Sequence, residues 1–338
     1  MRNIFSTILW IGACSVGALQ SEELSLQVLS YDLFMQEDAS TLECLQKALY
    51  EDGIVGIRGV PGYAEKMAQF IEQARAFAAL PEEVKEQYAP NRERGDLFLG
   101  YEKGKERFQR PDGKWVVDDL KVSYYAFVPD HPNNHWPVET ELQQGYLELG
   151  NLMLGMGKAV MEKLGLIGTT TGIFLDDIPH VGRMLYYLKS GDTRQDNPLW
   201  CGAHFDHGLF TVITPASYFE EDKQIDEPHE AGLFVNVRGE FKKVTADPTI
   251  LMFQVGEFAQ LVTNDGIRAT EHRVEKASGL VERYALALFF DTPPDTTIRS
   301  MSTLTQDPRY GGAAGTPCTY QRWHEESFKR YIVKDGAG

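Results

Sequence analysis

Cysteine is scarce, with four in 338 residues at positions 14, 44, 201 and 318 and no Cys-x-x-Cys pair. That scarcity excludes a disulfide-stapled scaffold and a thiolate zinc site. Basic residues are also in deficit: 33 lysines and arginines face 49 acids, for a net charge of −16. A surface of that sign repels nucleic acid phosphates and anionic lipid, so no nucleic acid partner is expected. Low-complexity linkers, repeats and charge blocks are missing, and the chain reads as a compact unit from about residue 25 onward.

The one prolonged apolar run is at the N-terminus. Arg2 precedes the uncharged IFSTILWIGACSVGALQ, and the first acids are Glu22 and Glu23. The run is too short to span a bilayer comfortably, so no transmembrane span is expected. It suits the apolar region of a secretory signal over residues 1–18, with Val16 and Ala18 as small residues ahead of the cut. Two other readings fit the same letters. Trp10 to Cys14 resembles a bacterial lipobox, which would end a lipoprotein signal at residue 13 and put a lipid anchor on Cys14; alternatively, the run is the apolar start of a cytoplasmic protein. Export is the leading expectation. Either export route leaves Cys44, Cys201 and Cys318, an odd number, so at least one thiol stays unpaired. Loss of residues 1–18 would take the net charge to −17.

Apolar, β-branched stretches at 25–34 and 53–60 predict strands. Apolar residues at helical spacing predict helices over 41–52, 63–80, 81–89 and 139–166. The Gly155-Met-Gly157-Lys158 within the last lacks the upstream glycine and following Ser/Thr of a phosphate loop, and reads as helix packing. From Gly182 the texture changes to short β-type segments at 183–189, 209–215, 232–237, 240–245, 249–255, 258–264, 271–276 and 284–291. Many short strands separated by turns predict a mainly β sandwich or barrel with flanking helices. The tail, 319–333, returns to helical spacing.

Within this half lies Trp200-Cys-Gly-Ala-His204-Phe-Asp206-His207. On a strand, i and i+2 share a face, so His204 and Asp206 project together. With 8 histidines and 49 acids, about one His-x-acid triplet arises by chance, so the motif needs context. The second triplet, His324-Glu325-Glu326, falls on a predicted helix where i and i+2 diverge. His272, on a later strand after the turn Asn264-Asp265-Gly266, offers a third ligand. Two imidazoles and one carboxylate with open positions form the facial triad of non-haem Fe(II) oxygen chemistry. Arg283 opens the strand after the next turn, and its guanidinium can take a carboxylate bidentately. His207 reads as lying on the opposite face from the pair, His229 as an exposed loop residue, Cys201 as buried filler, and Ser217 and Ser278 as loop residues.

These residues carry a resemblance. From about residue 26 to 325 the chain resembles the isopenicillin N synthase-like branch of the 2-oxoglutarate/Fe(II)-dependent dioxygenases. The matching segments are EDGIVGIRGVPGYAEKMAQFIEQARAFAALPEEVKEQYA, RMLYYLK, GAHFDHGLFTVI, GLFVNVRGEFKKV, VGEFAQLVTNDGIRATEHRV and RYALALFFDTPPD. The resemblance implies a jelly-roll (double-stranded β-helix) core over 180–325, integrated with a helical and strand region over 25–170. It implies Fe(II) on His204, Asp206 and His272, 2-oxoglutarate as cosubstrate, O2 and a small-molecule substrate, with hydroxylation, desaturation or cyclisation as outcome. The family's Arg-x-Ser grip on the distal carboxylate is matched by Arg283, but Ala285 stands at the serine position; Tyr187 matches a tyrosine that assists there. Losing a hydroxyl removes a hydrogen bond of about 0.5–1.5 kcal/mol, or up to about 3 with a charged partner. A 2-oxoglutarate-independent Fe(II) oxidase of the same fold and a non-catalytic metal-containing binding protein are the alternatives. Lys121, Tyr124 and Tyr125 are the substrate contacts the resemblance suggests, although a half-buried strand accounts for them equally.

Overall fold

The computed structural model describes residues 23–329, except 92–97, 111, 177, 192–193, 195–196 and 246. The N-terminal run, with Cys14, lies outside the described residues, as does the end of the predicted tail helix. No helix among the described residues is long and apolar enough to cross a membrane.

Two sheets face each other. The larger runs in spatial order Val28–Ser30, Ile54–Arg58, Ile250–Val255, Phe210–Ile213, Val281–Phe290, His180–Tyr187, Lys121–Val128 and Gly100–Lys103. The smaller runs Glu23–Leu24, Glu240–Val244, Gly232–Val237, Glu271–Glu275 and Leu199–Phe205. Ile54, Ile213, Met252 and Ala287 from the first meet Leu233, Val235, Val237 and Val244 from the second in one apolar cluster, which is the filling of a jelly roll. Strands from before residue 170 flank the four later ones at both edges of the larger sheet, where Ile54–Arg58 pairs with Ile250–Val255 and Lys121–Val128 with His180–Tyr187.

Strand periodicity decides what each face carries. Along Val281–Phe290, Arg283, Ala285 and Ala287 share one face while Tyr284, Leu286, Leu288 and Phe290 share the other. The second set joins the main core beneath the helices Tyr63–Ala78 and Leu142–Lys163. In the first helix Tyr63, Met67, Phe70, Ile71, Ala74 and Phe77 are buried, a stripe at helical spacing. In the second, a Cβ on Gly157 would come within 2.3 Å of the Phe290 ring and 3.0 Å of Val212. The glycine therefore sets how closely the helix lies on the sheet. Gly157→Ala should lower stability by about 1–3 kcal/mol through overpacking, read as a fall in the denaturation midpoint at constant m-value.

Three sequence expectations change. Of 25–34, only Val28–Ser30 is strand, and Tyr31–Met35 is helical. Segment 258–264 is not a strand: Glu257–Val262 is a helix, with the Glu257 N–H donating to Asp206 O and the Phe258 N–H to Gly208 O. A short apolar run cannot separate strand from helix by periodicity, and the neighbouring loop supplies the acceptors for this helix start. Ser217 begins the strand Ser217–Glu220 rather than standing in a loop.

Candidate metal centre

His204 and His272 are cross-strand partners on Leu199–Phe205 and Glu271–Glu275, and Asp206 follows just past the first strand's end. One ligand atom from each of the three lies within 4.8 Å of the other two. His204 Nε2 stands 3.8 Å from Asp206 Oδ1, and the imidazole centroids are 4.2 Å apart.

Neighbours orient each ligand. His204 Nδ1 lies 2.9 Å from Gly202 O, which places the proton there and the lone pair on Nε2. Asp206 Oδ2 accepts from Thr211 Oγ1 at 2.6 Å and Gln254 Nε2 at 3.1 Å, turning Oδ1 toward the histidines. His272 Nδ1 lies 2.9 Å from Gln254 Nε2 and 3.1 Å from Thr270 O. Those neighbours ask for opposite tautomers; a cation at Nε2 selects the form that donates to Thr270. Gln254 Oε1 is buried with no partner among the described residues. Burial pushes the His272 imidazole down to about 4, so it is neutral, the form that ligates. Burial alone would raise the Asp206 carboxyl, but His272, His204 and the Thr211 hydroxyl together hold it below the usual carboxylate range.

The donor set suits Fe(II): two neutral nitrogens, one carboxylate and no thiolate. Cys201 Sγ is 4.0 Å from His204 Nδ1, on the side of the ring turned away from Nε2. Burial raises its thiol, and it lines the site without the lowered pKa of a nucleophile. A Cβ on Gly202 would meet Phe108 at 2.6 Å, so the hairpin of Arg107–Gln109 and Trp115–Val117 rests directly on the ligand strand.

Arg283 is 4 % exposed and lies between two tyrosines in register, Tyr187 on one side and Tyr218 on the other. Its Nε donates to Tyr218 Oη at 3.2 Å, and its guanidinium sits 4.9 Å from the Tyr187 ring centroid. Ala285, two residues on, is buried opposite Leu185. The hydroxyl bonded to the guanidinium is therefore the phenol of Tyr218.

The sequence-suggested substrate contacts separate by strand face. Tyr124 is buried in the helix-facing core against Phe77 and Trp136. Lys121 and Tyr125 share the opposite face with Arg183 of the adjoining strand. Lys121 Nζ lies 2.8 Å from Glu106, 2.6 Å from Asp118 and 3.6 Å from Cys201 Sγ; Arg183 bonds Glu106 at 2.9 Å and Ser123 at 2.9 Å. Burial would raise the Glu106 carboxyl, but Arg183 and Lys121 hold it well below the usual range. His229 is exposed. His207 turns from the triad toward the C-terminal helix Tyr320–Phe328, where it meets His324.

Thr211, Gln254, Tyr218 and Glu106 escape sequence reading. Thr211 had a local signal, five residues past Asp206 at the start of a strand; the other three are brought in only by tertiary pairing.

Comparison with known proteins bears on the family and the fold. Residues 26–139 match the family model described as non-haem dioxygenase in morphine synthesis N-terminal, and 180–292 match the 2OG-Fe(II) oxygenase superfamily. Together they take in about two thirds of the chain. The homoarginine-6-hydroxylase 2-ODD-C23.1 of Arabidopsis thaliana is 24 % identical, over 85 % of this chain and 88 % of its own length. The proline hydroxylase buaE of Petromyces alliaceus is 25 % identical, over 83 % and 92 %. Among solved structures, full-length Neurospora crassa T7H in complex with alpha-KG superposes with a TM-score of 0.70 at 18 % identity, covering 92 % of this chain and 99 % of that one. A 2OG-Fe(II) oxygenase family protein from Caulobacter crescentus gives 0.69 at 21 %, covering 90 % and 99 %.

Proposed function

Because the chain belongs to the 2-oxoglutarate/Fe(II)-dependent dioxygenases, in their isopenicillin N synthase-like branch, we propose that His204, Asp206 and His272 hold its Fe(II) and that Arg283 grips the distal carboxylate of 2-oxoglutarate. The observation that carries this reading is the convergence of the three ligand atoms, within 4.8 Å, in a barrel that also buries Arg283. When bound, the metal and cosubstrate supply O2 activation, with 2-oxoglutarate leaving as succinate and CO2 while an unreactive C–H bond of a small molecule is oxidised.

The chain's own residues bind, orient and exclude. Thr211 and Gln254 fix the Asp206 carboxylate. Gly202 O fixes the His204 tautomer, and Thr270 O would accept the His272 Nδ1 proton once a cation holds Nε2. Arg283 meets an anion with a desolvated fork of donors, and Tyr218, already bonded to it, supplies the hydroxyl that Ala285 lacks. Tyr218→Phe should weaken 2-oxoglutarate binding by about 1.5–3 kcal/mol, roughly ten- to hundredfold in Kd; an unchanged Kd would leave Tyr187 as the only phenol in that role.

The wall formed by Lys121, Arg183, Glu106 and Asp118 favours a substrate carrying charge of both signs, an amino acid or a close derivative. Cys201 bridges it to the triad, 3.6 Å from Lys121 and 4.0 Å from His204. Two relatives are named for hydroxylating homoarginine and proline, which are of that class. The test is succinate release on a panel of free amino acids set against apolar carboxylic acids, with Fe(II) and 2-oxoglutarate present. Turnover confined to the apolar members would overturn the substrate class.

Residues 1–18 serve, on the same footing, as an export signal. Intact-mass analysis of the full chain made in a bacterial host should find it shortened by those residues, or by 13 with lipid on Cys14. A full-length cytoplasmic product contradicts export.

A further inference from the structure

Four of the eight histidines stand in two separate three-residue clusters. The second cluster is His207, Asp291 and His324, whose ligand-type atoms also lie within 4.8 Å of one another. It joins three distant parts of the chain: the loop after the His204 strand, the residue following Val281–Phe290, and the C-terminal helix Tyr320–Phe328.

His207 Nε2 faces His324 Nδ1 at 3.0 Å. Two imidazole nitrogens bound to one tetrahedral zinc at about 2.0–2.1 Å would stand about 3.3 Å apart, so a few tenths of an ångström separate the present contact from a ligating one. Tyr320, one turn before His324 on the same helix face, donates its hydroxyl to Asp291 Oδ1 and lies 3.3 Å from His324 Nδ1. Phe328, one turn further, closes the other side, its ring 4.7 Å from His324 and 5.2 Å from His207. Trp323 Nε1 donates to His207 O at 3.0 Å, holding the loop in place. Beside the cluster, His180 packs its ring 4.8 Å from that of Phe290, with both ring nitrogens buried and unpartnered among the described residues.

We propose that His207, Asp291 and His324 form a second metal site that takes Zn(II) through three protein ligands, with the fourth position left to water, and pins the C-terminal helix to the barrel beside the Fe(II) triad. Two imidazoles and a carboxylate, with Tyr320 orienting the carboxylate, are a zinc donor set. On entry the ion takes the place of the single hydrogen shared between the two facing nitrogens, and the imidazole that carried it is reprotonated on its other ring nitrogen, so both ligands stay neutral with no net proton release.

The test is zinc stoichiometry on the full chain, stripped with chelator, reloaded with Zn(II) alone and desalted. Zinc also enters a 2-His-1-carboxylate triad, so the first site must be separated by mutation. Wild type should hold two zinc ions per chain, His324→Ala one, the His204→Ala/Asp206→Ala double variant one, and the triple variant none. Zinc should raise the Tm of the double variant and leave that of the triple variant unmoved. Co(II) in the double variant should show the visible d–d bands of a low-symmetry site. If His324→Ala fails to fold, His324→Gln, which keeps shape and hydrogen bonding, should lose the same ion. The proposal is overturned if the double variant holds no zinc, or if the His324 variants hold as much as their parents, which would make the cluster a hydrogen-bonded network only. One zinc in both wild type and double variant would sink the triad assignment and leave this site standing.

Discussion

His204→Ala and Asp206→Ala should each leave the purified chain without stoichiometric iron and without measurable succinate release, a loss of at least about three orders of magnitude in kcat/KM, equivalent to about 4 kcal/mol or more. Each removes one of the three proposed protein ligands from a site with no fourth among the described residues: Cys201 lies behind the His204 ring and His207 faces the C-terminal helix. The loss should be one of metal and not of fold, because both residues are part-exposed at the barrel mouth, with side-chain exposures of 25 % and 10 %, and neither belongs to the apolar cluster between the sheets. Thr211→Val supplies the contrast. It removes the hydroxyl that holds Asp206 Oδ2 but leaves all three ligands, so iron affinity should fall only about 10–100-fold. Iron analysis after desalting, with circular dichroism as the fold control, checks both. Full iron in either alanine variant would mean that the ligands lie elsewhere.

Arg283→Ala carries the second large effect. The guanidinium is almost wholly buried between Tyr187 and Tyr218, so an anion meeting it loses water on both sides, and removing one partner of such a pair costs about 3–5 kcal/mol. The Kd for 2-oxoglutarate should therefore rise roughly 10²- to 10³-fold or more, with iron content unchanged. A 2-oxoacid without the distal carboxylate, such as 2-oxopentanoate, should bind variant and wild type alike, because it never used the arginine. Equal weakening of both acids would indicate collapse of the pocket and not loss of an ion pair.

Much of this site was legible because it is built on local rules. His204 and Asp206 are two residues apart where a strand ends, and strand parity alone puts them together. His272 and Arg283 sit either side of a turn in successive strands, which places both inside one barrel. A sandwich or barrel was legible from the run of short β segments after Gly182, its jelly-roll form came only from the family resemblance, and the helical stripe of Tyr63–Ala78 was legible from its spacing. What escaped depends on contacts made across the fold. Glu257–Val262 reads as β by composition and is helical because Asp206 and Gly208 accept its first N–H groups. Tyr218 reaches Arg283 only through the pairing of Ser217–Glu220 with Val281–Phe290. Lys121 and Tyr124 are both polar-tipped residues of one strand, and only the sheet's two faces decide that one turns toward Cys201 of the His204 strand and the other toward the core. His324 belongs to a His-x-acid triplet that the helix pulls apart, yet the same helix carries its imidazole to His207, 117 residues away.

The measurement that bears most directly on the central claim is an anaerobic optical titration of the full chain with one equivalent of Fe(II), followed by 2-oxoglutarate. The account predicts a weak visible metal-to-ligand charge-transfer band that saturates at one cosubstrate per chain in wild type and is missing in His204→Ala and Asp206→Ala. Wild type showing no band at saturating iron and 2-oxoglutarate, or either variant retaining it, would contradict the account.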